Sequence, residues 1–213
     1  MKLPIAVLLV PVLILSSIQS ARGASSPAWS VSLKAGADQP GIADYGFQYG
    51  HSTVFQGNIE WAYKWTERIE SGIGTGYVED HGNVRSVSGR ISGVRQTLIL
   101  IPTELYLSYQ FIRSSGQLLV PFLGGGLTHT TYRRSVEGEN DVTGGLSGFH
   151  ARGGAKLLLN RVDPDAALRL NENWGVIHTY LLLQVEFSRI DNFGESDVDL
   201  GGWSYWGGIQ CEF

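Results

Sequence analysis

The 213-residue chain carries 16 lysines and arginines against 20 aspartates and glutamates, and a net charge of −4 argues against a nucleic-acid partner. One cysteine excludes an internal disulfide framework. The 28 glycines, 6 tryptophans and 9 tyrosines beside 1 methionine exclude a mainly helical domain, because glycine weakens helices and aromatic side chains favour strands.

In chain order, the first element, residues 1–23, reads as a cleaved secretory signal. Lys2 precedes an apolar run from Ile5 to Leu15, and Ala21 and Gly23 stand at the spacing a signal peptidase reads. The run is shorter than the ~20 residues of a spanning helix and is interrupted by Pro4 and Pro11. Ala24, not a cysteine, stands right after the cleavage point and the single cysteine is Cys211, so no lipid anchor is expected. Loss of Lys2 and Arg22 takes the basic count from 16 to 14 and the net charge to −6. Residues 24–213 are expected to form one domain. No later stretch reaches the ~18 apolar residues of a membrane helix, so a mature chain that enters a bilayer does so as a closed barrel.

Eight segments of period-two alternation follow. The first, about 28–37, sets Trp29, Val31 and Leu33 against Ser30, Ser32 and Lys34. The second, about 53–65, sets Phe55, Ile59, Trp61, Tyr63 and Trp65 against Gln56, Asn58, Glu60 and Lys64. In the third, about 69–78, Ile69, Ile73 and Tyr77 oppose Glu70, Gly72, Gly74 and Gly76, whose missing side chains leave room for bulkier neighbours. The fourth, about 97–111, opposes Leu105, Leu107, Tyr109 and Phe111 to Pro102, Glu104, Tyr106 and Gln110, with the proline expected where the ladder is weak. The fifth, about 118–132, fits either register. The sixth, about 148–159, alternates Phe149, Ala151, Leu157 with His150, Arg152, Lys156. The seventh, about 177–188, turns Leu181, Leu183, Val185 and Phe187 away from Gln184 and Glu186. The eighth, about 202–213, turns Trp203, Tyr205, Ile209, Cys211 and Phe213 away from Ser204, Trp206, Gln210 and Glu212.

Strands of about ten residues, short turns on one side and long Gly-, Ser- and charge-rich loops on the other predict an all-β fold. The architecture expected is a closed antiparallel eight-stranded transmembrane up-and-down barrel. Asn160 to Val176 is long for a periplasmic turn, and its Asp163-Pro164-Asp165 start predicts a short helix there. Aromatic girdles are expected at Trp29, Trp65 and Phe111 on the periplasmic rim and at Phe55, Tyr77, Phe149, Phe187 and Trp203 on the outer one.

The same threading sends Lys34, Lys64, Arg152 and Lys156 inside with Glu60, Glu104, Glu186 and Glu212, four charges of each sign in a bore filled by side chains. This reads as a satisfied structural core, with a gated ion path or proton relay through Glu60, Glu104 and Glu186 as the alternative. No catalytic, cofactor or metal set emerges. His51 and Ser52 are adjacent and would point to opposite faces of a strand, while His81, His129 and His150 read as rim or loop residues. The loop stretch Glu137, Glu139, Asn140, Asp141 could meet a cation in a lipopolysaccharide layer, though it reads first as a solvated loop.

The PFLGGGL run of the fifth segment, GFHARGGAKLLL of the sixth and the closing WSYWGGIQCEF resemble small outer-membrane β-barrel proteins, namely the barrel domain of outer-membrane protein A and the outer-membrane protein W group. The resemblance implies residence in a Gram-negative outer membrane as a monomer in contact with lipid and lipopolysaccharide. It implies a terminal signal for the barrel-assembly machinery at Tyr205, Ile209, Cys211 and Phe213. It also implies a structural, adhesive or small-solute role without a cofactor. Related small barrels that modify lipid A use a histidine, a serine and an acid, and no histidine-any-serine spacing places such a pair on one face here.

Overall fold

The computed structural model describes residues 28–42, 45–85, 91–114 and 116–213, and the signal segment read over 1–23 lies outside them. Eight strands, β1 (Trp29–Pro40), β2 (Val54–Lys64), β3 (Ile69–Arg85), β4 (Ile91–Gln110), β5 (Leu119–Val136), β6 (Val142–Leu158), β7 (His178–Arg189) and β8 (Gly202–Glu212), close into one barrel in sequence order. Each is antiparallel to its neighbours. The seam runs from Ser30 opposite Glu212 to Pro40 opposite Gly202. Ala28 N–H donates to the Phe213 carbonyl at 2.9 Å and Phe213 N–H to that of Trp29 at 2.8 Å, so both chain ends lie at the same rim. Through the ring of the barrel every described strand is hydrogen-bonded on both sides, the condition for backbone in lipid, and the extensions 79–85 of β3 and 142–148 of β6 above it are paired on one side.

Alternation decides what each face carries. Leu33, Phe55, Ile73, Leu105, Leu123 and Leu183 stand exposed on the outer wall, while Ser32, Asn58, Glu60, Glu104, Arg152 and Gln210 are buried within. A soluble protein reverses this arrangement. An apolar wall around a charged core is stable where lipid, not water, bathes the wall. The fifth strand, open in the sequence, turns Leu119, Leu123 and Leu127 outward and Val120, Phe122, Thr128 and Thr130 inward.

The inner glycines of β3 have a steric purpose. A Cβ on Gly72 would stand 2.5 Å from Tyr106 Cζ, one on Gly74 3.0 Å from Glu60 Cγ, and one on Gly76 3.0 Å from Pro102 Cγ. The β3–β4 ladder passes from Thr75–Thr103 to Val78–Leu100, leaving Pro102 at an interruption where its missing N–H costs nothing.

Strands β3 to β6 run 17 to 20 residues, longer than the ~10 expected of a membrane crossing. The apolar alternation ends near Tyr77, Ile99, Leu127 and Phe149, but antiparallel pairing continues above it, for instance at Leu98–Arg134 and Arg133–Thr143. Backbone hydrogen bonding outlasts the greasy pattern, which is why sequence boundaries fell short.

At the rim holding the termini, the connection 65–68 is tight, with Thr66 Oγ1 accepting from the N–H groups of Arg68 and Ile69 at 3.2 and 3.0 Å. The longer connection there contains the predicted helix (Pro164–Trp174, here α2; α1 is Tyr45–Tyr49 at the opposite mouth). Asp163 Oδ1 caps α2 by accepting from Ala166 N–H at 2.9 Å, and Gly175, at φ 72°, ends it.

Candidate functional site

Among the described residues, most of the buried charged side chains gather in the barrel interior, and they are layered. At the mouth far from the termini, α1 folds inward. Tyr45 and Tyr49, stacked at 4.6 Å, pack with Val54, Val78, Leu98, Leu100, Ile190 and Leu200 into an apolar plug. The Tyr45 hydroxyl donates to Asp80 Oδ2, and His51 Nε2 lies 3.0 Å from the same oxygen. Burial first, and the Asp80 carboxylate second, push the Tyr45 phenol far above its ordinary pKa, so it stays a donor. Asp80 therefore ties the loop helix to β3.

Below the plug lies a small polar cavity, and below that the first ion-pair layer. Glu60 Oε1 accepts from Lys34 Nζ at 2.5 Å and from Arg152 Nη1 at 2.7 Å. The Arg152 guanidinium lies 3.2 Å from the centre of the Tyr106 ring, and Lys34 lies 4.9 Å from that of Trp206. These side chains cross the whole bore. A second layer nearer the termini joins Lys156 Nζ to Glu70 Oε1 at 3.0 Å, Gln110 to Glu70 at 2.7 Å, and Lys64 to Glu212 Oε1 at 2.6 Å, with His178 Nδ1 at 3.2 Å from Glu212 Oε2. Val120, Leu158 and Tyr180 close this end.

All eight ionisable residues singled out from the sequence face this interior, but they do not form one neutral cluster. Lys34, Glu60 and Arg152 make one group and Lys64, Lys156 and Glu212 belong to another, while Glu104 and Glu186 have no ion-pair partner within 4.0 Å among the described residues. Glu70, which the alternation also places on the inner face, and Asp38 add two acids to that set. Both are buried, so the inside is acidic, not balanced. Glu70 could have been counted, since it opposes Ile69 and Ile73 in the alternation.

Of the histidines expected at a rim or in a loop, His150 departs from that place, whereas His129 lies two residues beyond Leu127 at the upper end of the wall. His150 is buried inside, its Nδ1 2.8 Å from Thr128 Oγ1. His178 belongs to the Glu212 group. His129 stands on the outer wall with its Nδ1 2.9 Å from Ser147 Oγ on the next strand. No linear spacing reveals that pair, because strand pairing brings together residues 18 apart. No carboxylate partner of His129 is present among the described residues, and no three His, Cys, Asp or Glu side chains there converge as a metal site.

The expected aromatic positions divide between the two ends of the wall. Trp29, Trp65 and Phe111 are exposed near the terminal rim, with Trp29 and Tyr63 4.7 Å apart, and Phe55, Tyr77, Phe149, Phe187 and Trp203 are exposed toward the other, with Phe187 and Trp203 5.1 Å apart. Tyr205 and Ile209 face outward on β8, Cys211 is half-buried there as a free thiol, and Phe213 bonds back to β1.

No family model matches the chain, and no curated protein does. Solved structures do. The outer membrane protein OprG from Pseudomonas aeruginosa superposes with a TM-score of 0.60 at 13% identity, over 91% of this chain and 99% of that one. Neisserial surface protein A gives 0.53 at 15%, over 88% and 98%. The attachment invasion locus protein Ail of Yersinia pestis gives 0.52 at 11%, over 89% and 100%. At such identities the likeness is one of fold: the chain has the architecture of small eight-stranded outer-membrane barrels.

Proposed function

We propose that the protein is a non-enzymatic, monomeric integral protein of a bacterial outer membrane, a packed and sealed barrel whose biological contacts are made by its outer loops with lipopolysaccharide or a partner. The carrying observation is the pair of seals. The Glu60–Lys34–Arg152 layer crosses the bore at one level and the Tyr45–Tyr49 plug closes the mouth at another, which disfavours a narrow channel for small hydrophobic or ionic solutes. The loops, by contrast, present side chains outward. Phe193, at φ 60° in a turn capped by Asp191 Oδ1 on Gly194 N–H at 2.9 Å, is 61% exposed. A bulky residue held in the left-handed region is uncommon and its ordered exposure suits a contact role. Export by the 1–23 signal and insertion through Tyr205, Ile209, Cys211 and Phe213 by the barrel-assembly machinery complete this reading.

Conductance across planar bilayers tests the seal. Folded, inserted protein should give no unitary openings, and steady openings from the wild type would replace this reading with a channel.

A second reading rests on the His129–Ser147 pair. A serine hydroxyl 2.9 Å from an imidazole on the wall could attack a lipid ester, although nothing among the described residues orients the histidine. Mass profiles of lipid A from cells with and without the protein decide it: an unchanged profile ends this alternative.

A further inference from the structure

Between the apolar plug and the first ion-pair layer, the cavity has an uneven charge inventory. Its walls carry the carboxylates of Asp38, Glu104 and Glu186, and Glu60 lies just beneath. The cations in reach, Lys34 and Arg152, both spend their close contacts on Glu60. Asp38 has the Ser204 hydroxyl at 2.7 Å, and Glu186 has the Gln184 amide at 3.0 Å, neither of which carries charge. Glu104, 3% exposed, has an Oε2 that reaches no hydrogen-bond partner in the protein, and the same is true of Thr130 Oγ1, on the same wall and 2% exposed. Four carboxylates face two cations. A buried charge without a counter-ion is costly, so ionised carboxylates here need a positive guest.

We propose that this cavity is a binding site for one calcium-sized divalent cation. The charge deficit of two sets the valence. The donors are hard oxygens, the carboxylates of Glu104 and Glu186 with the hydroxyls of Thr130 and Ser188, all of which line the cavity, and this is the ligand type such cations take. The free room, 30 Å³ for the centres of water-sized molecules, holds a cation with one or two waters and is too small for the several waters a magnesium ion retains. Because no three acidic or histidine side chains converge, two carboxylates at most bind directly and water completes the shell. The ion is sealed from below by Lys34 and Arg152, whose charges repel it from the lower bore, and from above by Val78, Leu100, Ile190 and Leu200. It is a resident of the barrel, not a permeant.

The test uses the full mature barrel, refolded in a non-ionic detergent free of phospholipid after chelator treatment, with ⁴⁵Ca equilibrium dialysis as the readout and boiled-versus-unboiled gel mobility as the proof of folding. The wild type should bind one calcium per chain. Glu104→Gln and Glu186→Gln should each weaken binding at least tenfold, and Glu172→Gln on the exposed face of α2 should leave it unchanged. Should both interior glutamine variants fail to fold, Thr130→Val, which alters no charge, should still weaken binding severalfold. Infrared spectra should show a neutral carboxyl band that appears on chelation and disappears on calcium addition. A folded wild type that binds no calcium and keeps a constant neutral-acid band would show that protons, not a metal, occupy the site. Binding retained in the interior variants would move the ion to the loop acids Glu137, Glu139 and Asp141, and either outcome overturns the proposal.

Discussion

Replacing Glu60 by glutamine keeps the shape of the side chain and removes the only anion among the described residues that both Lys34 and Arg152 touch, at 2.5 and 2.7 Å. All three residues are at most 5% exposed. Breaking a buried pair by removing one partner costs about 3–5 kcal/mol, chiefly because the survivor stays charged and dry. Two cations survive here, but Arg152 retains the Tyr106 ring face at 3.2 Å, which holds the expected loss within that range. At about 1.4 kcal/mol per factor of ten, the folding constant should fall by about two to four orders of magnitude. With a urea slope of about 2 kcal/mol/M, the midpoint should drop by about 1.5–2.5 M. Urea titration in lipid vesicles, followed by tryptophan fluorescence, measures it. Lys156→Gln should cost less, because Glu70 keeps the Gln110 amide at 2.7 Å. A Glu60→Gln midpoint within about 0.5 M of wild type would refute the claim that this layer carries charge in a dry interior.

Gly72→Ala forces a Cβ to 2.5 Å from Tyr106 and 2.6 Å from the Trp61 carbonyl and should cost about 1–3 kcal/mol in the same titration, whereas Gly57→Ala, with nothing within 4 Å, should be tolerated. Leu33→Arg, on the wall at 68% exposure, should lose about 2–4 kcal/mol of insertion free energy in vesicles, and a neutral result would place that strand face outside the hydrocarbon. The Tyr45 phenol is neutral in the folded plug and has a raised pKa, so the folded state holds a proton the unfolded loop gives up. Its contribution is therefore full below the ordinary tyrosine value near pH 10 and declines above it. Limited proteolysis within the 45–53 segment should accelerate above about pH 10 in the wild type, and a Tyr45→Phe variant should lack that step.

Strand number, strand order and the two faces were legible because period-two alternation is a direct record of which side each Cβ takes, and Leu33 against Lys34 or Val185 against Glu186 admit one arrangement in lipid. The fifth strand resisted because Leu123 to Leu127 runs through three glycines that carry no face preference. Two features of the interior were hidden for different reasons. Which acids find which bases depends on stagger between strands, so Glu60 meeting Arg152, 92 positions away, leaves no linear trace. The inward turn of α1 was equally silent, because Tyr45 and Tyr49 in a short polar loop look like surface aromatics until Asp80 and the upper ring of Val78, Leu98 and Leu100 are seen beneath them. The helix α2 was legible from its own cap, Asp163 before Pro164.

A closed barrel with its charges inside and lipid outside belongs in the outer membrane and resists extraction. Fractionated cell envelopes, washed in alkaline carbonate and run on gels boiled and unboiled, address it directly. The protein should stay with the outer-membrane fraction through the wash and change mobility only on boiling. Release into the wash with a single mobility in both lanes would contradict the claim.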